Sequence, residues 1–343
     1  DEWFEEKVSE YRCPMELGDD TKALRGIHAR GLGTIRGSLT LASSGLPTGL
    51  PSDLPRFGIF TNPGDTFEVI LRYSTSGGPR FEAMPDSDEE QAIGLGLKIL
   101  TETEETAHDL LFINSPIFMT NDPVALVFQE DASALRASYA AARDNAVQDA
   151  LAETQYTASA YAWGTDRAVK YRLRPTRAPK GYLDDAGLKA YEAQLLDKGP
   201  RCLEDRIKLV FEHTGQALSY QLEVQFSDPN DNESHGAPVD DERIEWKTPW
   251  LTLAQLTLPP QQIAHDEAIA FHPFHVSDAG LLPLGRLNRA RLTSYTKSRE
   301  TRHTLNQIEE APYPYQTPLS LKVAVVGGGA SGLAASLALA SFG

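Results

Sequence analysis

Short apolar runs separated by Gly, Pro and Asp turns dominate the first third of the chain. The run 67–75 is rich in β-branched and aromatic residues and follows the turn sequence 62–65, Asn-Pro-Gly-Asp. A second apolar run, 109–113, ends at Asn114, an amide that is costly to bury unless it has hydrogen-bond partners. Together, the runs between residues 34 and about 119 predict an antiparallel sheet.

Helix and strand signals alternate further along the chain. Ala-rich or helix-favouring segments at 131–152 and 185–197 predict helices. Strand-like runs return at 207–211 and 218–224, and a polar, acidic loop follows at 228–242. We therefore predict an α+β fold built on a closed antiparallel β-barrel with added helices, because closure of a sheet removes its exposed edges.

Shifts in composition divide the chain into four parts. Residues 1–20 are acidic and loosely patterned, which indicates an N-terminal arm, and residues 21–308 form the main predicted domain. A Pro-rich linker at 309–320 leads into a last segment of different character, residues 321–343.

The last segment has the pattern that opens a dinucleotide-binding fold. A buried-type strand at 322–326 enters the glycine-rich sequence 327–332, Gly-Gly-Gly-Ala-Ser-Gly, and an Ala-rich helix follows. The acidic residue expected about 20 positions later is missing. We expect a truncated Rossmann-type stub that begins a fused flavoprotein domain of a longer natural protein. FAD would bind in that fusion and not in this chain; a plain helical tail is the alternative.

The composition narrows the classes of function. The 343 residues carry a formal net charge of −16, which argues against nucleic acid and anionic membrane surfaces as partners. Two cysteines, Cys13 and Cys202, are too few for a disulfide scaffold and fit a reducing, cytoplasmic location. The sequence shows neither a signal peptide nor an apolar run long enough for a transmembrane segment. Whether the protein is a homo-oligomer stays open.

The most informative candidate chemistry lies in residues 291–295, Arg-Leu-Thr-Ser-Tyr, where the guanidinium of Arg291 comes four residues before the phenol of Tyr295. On a helix this spacing places the two groups side by side. A close cation favours the ionised form of a phenol, so the pair could supply a tyrosinate ligand to iron. Such pairs more often lie on a solvated helix face, so the meaning of this one depends on residues upstream.

Three upstream segments carry further polar side chains. The segment 24–37 holds His28 followed by closely spaced glycines, which let a backbone approach a flat group. The first predicted strand ends with residues 72–75, Arg-Tyr-Ser-Thr, and the second is followed by residues 114–118, Asn-Ser-Pro-Ile-Phe. Taken alone, each of these polar residues could be an ordinary core, strand or turn residue.

These markers, together with the Arg291–Tyr295 motif and their order along the chain, resemble the haem catalase superfamily. The resemblance covers roughly residues 20–305. In length and texture the chain is similar to the short catalase-related proteins, which include minimal peroxidatic catalases and allene oxide synthases that act on fatty-acid hydroperoxides. Residues 248–261 also resemble a segment that follows the barrel in this family. The resemblance implies haem b, with its iron, as the cofactor.

The resemblance implies a role for each matching residue. Tyr295 would be the proximal ligand to the haem iron, with Arg291 as its charge partner. His28 would be the distal acid and base, and Ser74 would orient its imidazole. Asn114 would hydrogen-bond the bound peroxide.

Arginines and two further histidines complete the predicted surroundings of the cofactor. The resemblance implies that Arg25, Arg72 and Arg302 pair with the haem propionates, for which a planar guanidinium is suited. Each of them could instead be an ordinary surface charge. His272 and His275 have no Cys or carboxylate constellation nearby that would complete a tetrahedral metal site. We interpret them as loop residues near the haem approach.

The resemblance implies a haem-dependent enzyme that cleaves peroxide O–O bonds. We favour organic or fatty-acid hydroperoxides as substrates, as in a peroxidase or an allene oxide synthase-like dehydratase or isomerase, because the chain lacks the length for the arms of large catalases. Against this, Ile27 is apolar as in true catalases, where coral-type allene oxide synthases carry Thr. Hydrogen peroxide dismutation that serves a fused flavin oxidase is therefore the first alternative. A non-catalytic haem-binding domain of a fusion protein is the second.

Overall fold

The computed structural model describes seven stretches of the chain. They are residues 23–25, 28–43, 54–75, 92–101, 107–123, 149–176 and 202–308. Several predicted segments lie outside the described residues: the arm at 1–20, the helix at 185–197, the linker at 309–320 and the stub at 321–343. Of the predicted helix 131–152, only residues 149–152 are described, and they lead into a turn.

Nine strands and two α-helices make up the regular structure of the described residues. The strands are β1 (Gly31–Leu41), β2 (Thr66–Thr75), β3 (Ile93–Leu100), β4 (Ala107–Ile113), β5 (Gln155–Tyr156), β6 (Tyr161–Trp163), β7 (Arg167–Pro175), β8 (Leu218–Phe226) and β9 (Trp250–Leu258). The helices are α1 (Cys202–His213) and α2 (Arg286–Leu305), with short 3-10 turns at Gly58–Phe60 and Ala279–Leu281. Neither described α-helix combines the length and the apolar character needed to cross a bilayer.

The strands form a closed antiparallel barrel, which confirms the predicted fold class. Neighbouring strands follow the order β5, β4, β3, β2, β1, β9, β8, β7. The ring closes at β5, where Tyr156 pairs with Ile113 of β4 and Gln155 pairs with Leu173 of β7. Eight strands therefore complete the barrel, and β6 pairs with the other end of β7.

Alternate residues of each strand pack into the barrel, as the two-residue period of a strand requires. On β2, Val69, Leu71 and Tyr73 join the main apolar core. Arg72 and Ser74 alternate with these core residues along the strand and belong to the outer face. The outer face of β2 to β4 is buried as well, because the segment before β1 and the loop after β9 cover it, and helix α2 contacts that loop. This covered outer wall carries the candidate site.

The prediction of a strand at 207–211 is wrong, because this run lies in the middle of helix α1. The core residues of α1 are spaced four, three and one positions apart, which places them on one helical face. They are Leu203, Ile207, Val210 and Phe211. Glu204 and Asp205 in the first turn and His213 in the last turn complement the helix dipole. A five-residue apolar run is compatible with a strand or a helix. Here the helix forms because its apolar face packs against the barrel core.

A second correction concerns the segment 248–261, which was expected to follow the barrel. Trp250–Leu258 is instead β9, a strand of the barrel itself that pairs with β8 on one side and β1 on the other. The predicted strands 67–75 and 218–224 are confirmed as β2 and β8, and the helix that carries Tyr295 is confirmed as α2.

Candidate functional site

His28 lies at the start of the covered outer wall, in a backbone conformation that few residues adopt. Its φ angle is 57°, in the left-handed region. The ring packs on the backbone of β3, where a Cβ at Gly94 would lie 2.3 Å from His28 Cε1. Ser74 Oγ lies 3.2 Å from His28 Nδ1 and 3.4 Å from the carbonyl oxygen of Gly94. The structure thus brings the predicted pair His28 and Ser74 together across two neighbouring strands.

Asn114 lies one strand further along the same wall, directly after β4. Its Oδ1 accepts a hydrogen bond from the backbone N–H of Ile93 at 2.9 Å, next to the residue on which His28 packs. Its Nδ2 donates to Glu153 Oε2 at 3.4 Å. The Asn114 side chain is buried. Its hydrogen bonds compensate for the free-energy cost of removing the amide from water, as the sequence analysis expected. Glu153 is a neighbour that the sequence did not reveal.

Arg291 and Tyr295 stand one turn apart on α2, as the motif spacing predicts. Arg291 Nη2 lies 3.3 Å from the Tyr295 hydroxyl, and the guanidinium carbon lies 5.1 Å from the centre of the phenol ring. Burial acts to lower the pKa of Arg291, but the neighbouring phenols of Tyr295 and Tyr161 raise it above its usual value. The guanidinium therefore keeps its positive charge beside the phenol.

Asn288 and Ser159 hold Arg291 from the opposite side, and sequence analysis missed both. Arg291 Nη1 donates to Asn288 Oδ1 at 2.8 Å, and Ser159 Oγ donates to the same oxygen at 3.2 Å. The Asn288 amide nitrogen donates to the carbonyl oxygens of Ala160 and Leu284. Asn288 is fully buried, so these bonds fix the direction of the guanidinium. The sequence signal for Asn288 was its position three residues before Arg291, a spacing that places the two side chains on the same face of a helix.

His272 packs against the other side of Tyr295. The two ring centres are 5.9 Å apart in an edge-to-face arrangement. His272 Nδ1 accepts from the backbone N–H of Phe274, so the proton lies on Nε2, which donates to the carbonyl oxygen of Leu292 on α2. Burial and the neighbouring His275 lower the pKa of His272 to about 3, which keeps the ring neutral. His272 therefore ties the loop after β9 to the helix of Tyr295.

A buried ion pair fastens the same loop to the barrel wall. Asp109 on β4 accepts two hydrogen bonds from Lys98 Nζ on β3, at 2.8 and 2.9 Å. It also accepts from His275 Nδ1 at 3.0 Å and from the backbone N–H of His272 at 2.9 Å. Burial acts to raise the pKa of Asp109, but Lys98 and His275 lower it. Lys98 within an apolar strand was the sequence signal for this cluster.

The three predicted propionate partners converge on the segment 267–269. The Glu267 carboxylate pairs with Arg25 and, at 3.4 Å, with Arg72 Nη2. Arg302 donates to the backbone carbonyl oxygen of Glu267, and Arg25 Nη2 donates to that of Ile269 at 2.7 Å. Arg72 also donates to the carbonyl oxygen of His28 at 3.2 Å, which links this cluster to the histidine. We call Arg25, Arg72, Arg302 and Glu267 the arginine cluster.

The arginine cluster holds a surplus of positive charge. Burial and the nearby Arg25 lower the pKa of Arg72 to about 10 and that of Arg302 to about 9. Burial acts to raise the pKa of Glu267, but the three guanidiniums lower it to about 2. Three buried or nearly buried cations share this one carboxylate within the arginine cluster, so the site favours further anionic groups.

Two glycines let aromatic rings pack directly on the outer wall. A Cβ at Gly94 would clash with the His28 ring, and one at Gly96 would lie 2.8 Å from Cγ of Phe271. The glycines therefore set the positions of these two rings. The phenol–guanidinium pair and the arginine cluster are chemically suited to a metal-bearing cofactor with acid groups. Among the described residues, no group of three or more His, Cys, Asp or Glu side chains could hold a bare metal ion.

Comparison with known proteins supports the fold. No protein-family model matches the chain, and no curated protein is significantly similar to it. Many solved structures match the chain, among them the following three, which match with high probability. They are a fungal catalase (TM-score 0.62, 18% identity, 84% of this chain and 61% of that one), catalase A from Saccharomyces cerevisiae (0.62, 16%, 84% and 63%) and a bacterial catalase (0.64, 17%, 90% and 62%).

The likeness confirms the catalase-like fold that the motifs predicted. The chain spans about three fifths of the length of these catalases. At this level of identity the likeness shows the fold alone. The roles of the site residues, the short catalase-related subtype and the Rossmann-type stub stay predictions.

Proposed function

We propose that this chain binds haem b and uses it to cleave the O–O bond of peroxides. The observation that supports the proposal is that the predicted partners are in contact within a catalase-like barrel fold. These contacts are the Arg291–Tyr295 pair on α2 at 3.3 Å, the His28–Ser74 pair at 3.2 Å, and the arginine cluster.

The tyrosine residue and its neighbours would hold the cofactor on one face. Tyr295 would donate its phenolate oxygen to the iron, and the Arg291 cation would stabilise the negative charge on that oxygen. Arg25, Arg72 and Arg302 would pair with the propionates. When bound, haem supplies the redox chemistry at its iron, and the protein supplies orientation, charge and exclusion of water.

His28 would move the proton in the proposed reaction. If Ser74 Oγ–H donates to the Gly94 carbonyl oxygen, Ser74 accepts from Nδ1–H of His28, and Nε2 becomes the basic nitrogen. Nε2 could then take a proton from one peroxide oxygen and return it to the other. The Asn114 amide nitrogen would donate to the peroxide without adding a group that titrates.

An organic hydroperoxide is the substrate class that we favour. A groove of about 370 Å³ runs beside the segment that follows His28. Its lining combines the apolar residues Leu24 and Ala29 with the cations Arg30 and Lys208 and the carboxylates of Glu204 and Glu267. This mixture of apolar and charged groups suits an amphipathic molecule, such as a fatty-acid hydroperoxide.

Hydrogen peroxide dismutation is the second candidate. The residue before His28 is the apolar Ile27, as in true catalases, and the similar solved structures are catalases. A fused flavin oxidase that releases hydrogen peroxide would provide the substrate.

One experiment separates the candidates. Haem-loaded protein is given hydrogen peroxide, with oxygen release recorded, and a polyunsaturated fatty-acid hydroperoxide, with its consumption recorded. We expect consumption of the hydroperoxide, and about a thousandfold slower turnover by His28→Ala with haem retained. Vigorous oxygen release without hydroperoxide consumption would establish the second candidate. Haem binding without either activity would leave only a haem-binding domain.

A further inference from the structure

The proposed binding of haem does not explain why an acidic residue, Glu267, lies among the arginines that would bind the cofactor's acid groups. Its two carboxylate oxygens are divided between two guanidiniums, Oε2 to Arg25 and Oε1 to Arg72. Its backbone carbonyl oxygen accepts from Arg302. One residue therefore engages all three side chains that would pair with the cofactor's acid groups.

The exposure of these groups differs sharply. The Glu267 side chain is 37% exposed, whereas the side chains of Arg25 and Arg72 are 14% and 6% exposed. Arg302 is 2% exposed. The carboxylate can thus leave with little rearrangement, while the three cations are held by their burial on separate segments.

A destination for the carboxylate lies next to the arginine cluster. Glu267 also lines the groove of about 370 Å³, together with Arg30, Lys208 and His265. Arg30 and Lys208 are balanced by the carboxylates of the lining, so a displaced Glu267 side chain would lie among polar groups of both charges there. Glu204 lies in the same groove, bound by Lys208 at 2.6 Å and by His265 at 3.1 Å.

We propose that Glu267 is a built-in counter-ion that occupies the acid-binding arginines in the cofactor-free protein and yields them to the carboxylates of the incoming cofactor. Its side chain then turns into the groove. The inference rests on the proposed function, because the cofactor is taken to carry acid groups. Glu267 and those groups compete for the same N–H donors on Arg25 and Arg72.

The test compares Glu267→Gln with Glu300→Gln, a matched change at a carboxylate that pairs with Lys297 and lies in neither the groove nor the arginine cluster. Haemin is titrated into each cofactor-free protein and followed at the Soret band, and iron protoporphyrin dimethyl ester is titrated in parallel. We expect Glu267→Gln to bind haemin about tenfold more tightly, because a competing charge is gone. The dimethyl ester should show no such gain, and Glu300→Gln should bind haemin as the unsubstituted protein does.

Stability of the cofactor-free protein provides an independent readout. Glu267→Gln should melt at a lower temperature than the unsubstituted protein, because three buried cations lose their counter-ion. Succinate at constant ionic strength should restore the melting temperature of Glu267→Gln more than that of the unsubstituted protein. A residue that merely supports the fold would lower both stability and haemin affinity.

The outcomes separate the two proposals. Haemin binding that is weaker than or equal to that of the unsubstituted protein would overturn the counter-ion role while leaving haem binding intact. A flat titration with the unsubstituted protein would refute the proposed function. In that case the succinate response alone decides whether Glu267 is the counter-ion, and an equal response of both proteins would reject it.

Discussion

Two sides of the candidate site differ in how their residues are held. The tyrosine side is Tyr295 with its neighbours Arg291, Asn288 and His272. Three of these four residues lie on one helix, and hydrogen bonds at 2.8–3.3 Å connect them to each other or to neighbouring backbone. Asn288 and His272 are fully buried. The tyrosine side is therefore a rigid unit.

The histidine side is His28, Ser74 and Asn114, which come from three separate segments. Its hydrogen bonds at His28 and at the Asn114 amide nitrogen measure 3.2–3.4 Å, and His28 is held in a left-handed backbone conformation. Strand register places Ser74 beside Gly94 and Gly94 beside Ile113, and His28 packs on Gly94 from the segment before β1.

The difference agrees with the two proposed roles, which are metal ligation on the tyrosine side and proton transfer on the histidine side. A metal ligand requires a fixed oxygen, so dense buried bonding suits the tyrosine side. A group that passes a proton between two atoms must adjust its position, so a site assembled from three separate segments suits the histidine side. Variants should therefore affect stability and cofactor retention on the tyrosine side, and turnover on the histidine side.

The largest effect is expected from Asp109→Asn, which leaves Lys98 buried without a carboxylate. We expect the free energy of unfolding of the cofactor-free protein to fall by about 3–5 kcal/mol. Urea denaturation measures the change. Glu300→Gln is the matched control, because its pair with Lys297 is about half exposed and the change should stay within about 0.5 kcal/mol. Equal effects of the two variants would show that the buried ion pair does not anchor the tyrosine side.

Tyr295→Phe removes the oxygen of the proposed ligand but keeps the ring against His272. We expect the dissociation constant for haemin to rise by at least about 100-fold, with little change in the melting temperature of the cofactor-free protein. Absorption spectra during a haemin titration provide the measurement. A Soret band with unchanged position and affinity would contradict the assignment of Tyr295.

The smallest effect concerns Glu242, a buried carboxylate beside Gly285 at the start of α2. Burial raises the pKa of Glu242 to about 7 from its ordinary value near 4.5. A raised pKa favours the protonated form in the folded state, so its contribution is full below pH 4.5 and is lost as pH rises through 7.

Glu242→Gln should therefore lose less stability than the unsubstituted protein between pH 5 and pH 8, by about 2 kcal/mol. Burial lowers the pKa of Lys170 to about 8, and the Glu242 charge acts to raise it, so both proteins carry Lys170→Met to remove this second titration from the comparison. Urea denaturation at the two pH values measures the difference. Parallel pH profiles would show that Glu242 ionises as readily in the folded protein as in the unfolded one.

Much of the tyrosine side could be predicted from the sequence, because its geometry is local. A helix places residues four apart on the same face whatever surrounds it, so the spacing of Arg291 and Tyr295 predicted their contact. The strand character of β2 and β8 was likewise visible in short runs of residues. For His28 and Ser74 the sequence suggested partners, but only through a resemblance to a family.

Tertiary structure decided everything that depends on which distant surfaces meet. The run 207–211 became helical because one face of α1 packs on the barrel core, and β9 joined β1 across more than 200 residues of sequence. Glu267 forms ion pairs with Arg25 and Arg72, and Asp109 forms one with Lys98, and no local sequence pattern predicts these pairs. Backbone hydrogen bonding sets the period of each element from nearby residues alone, whereas the partner of a buried charge is selected by the desolvation cost of leaving it without one.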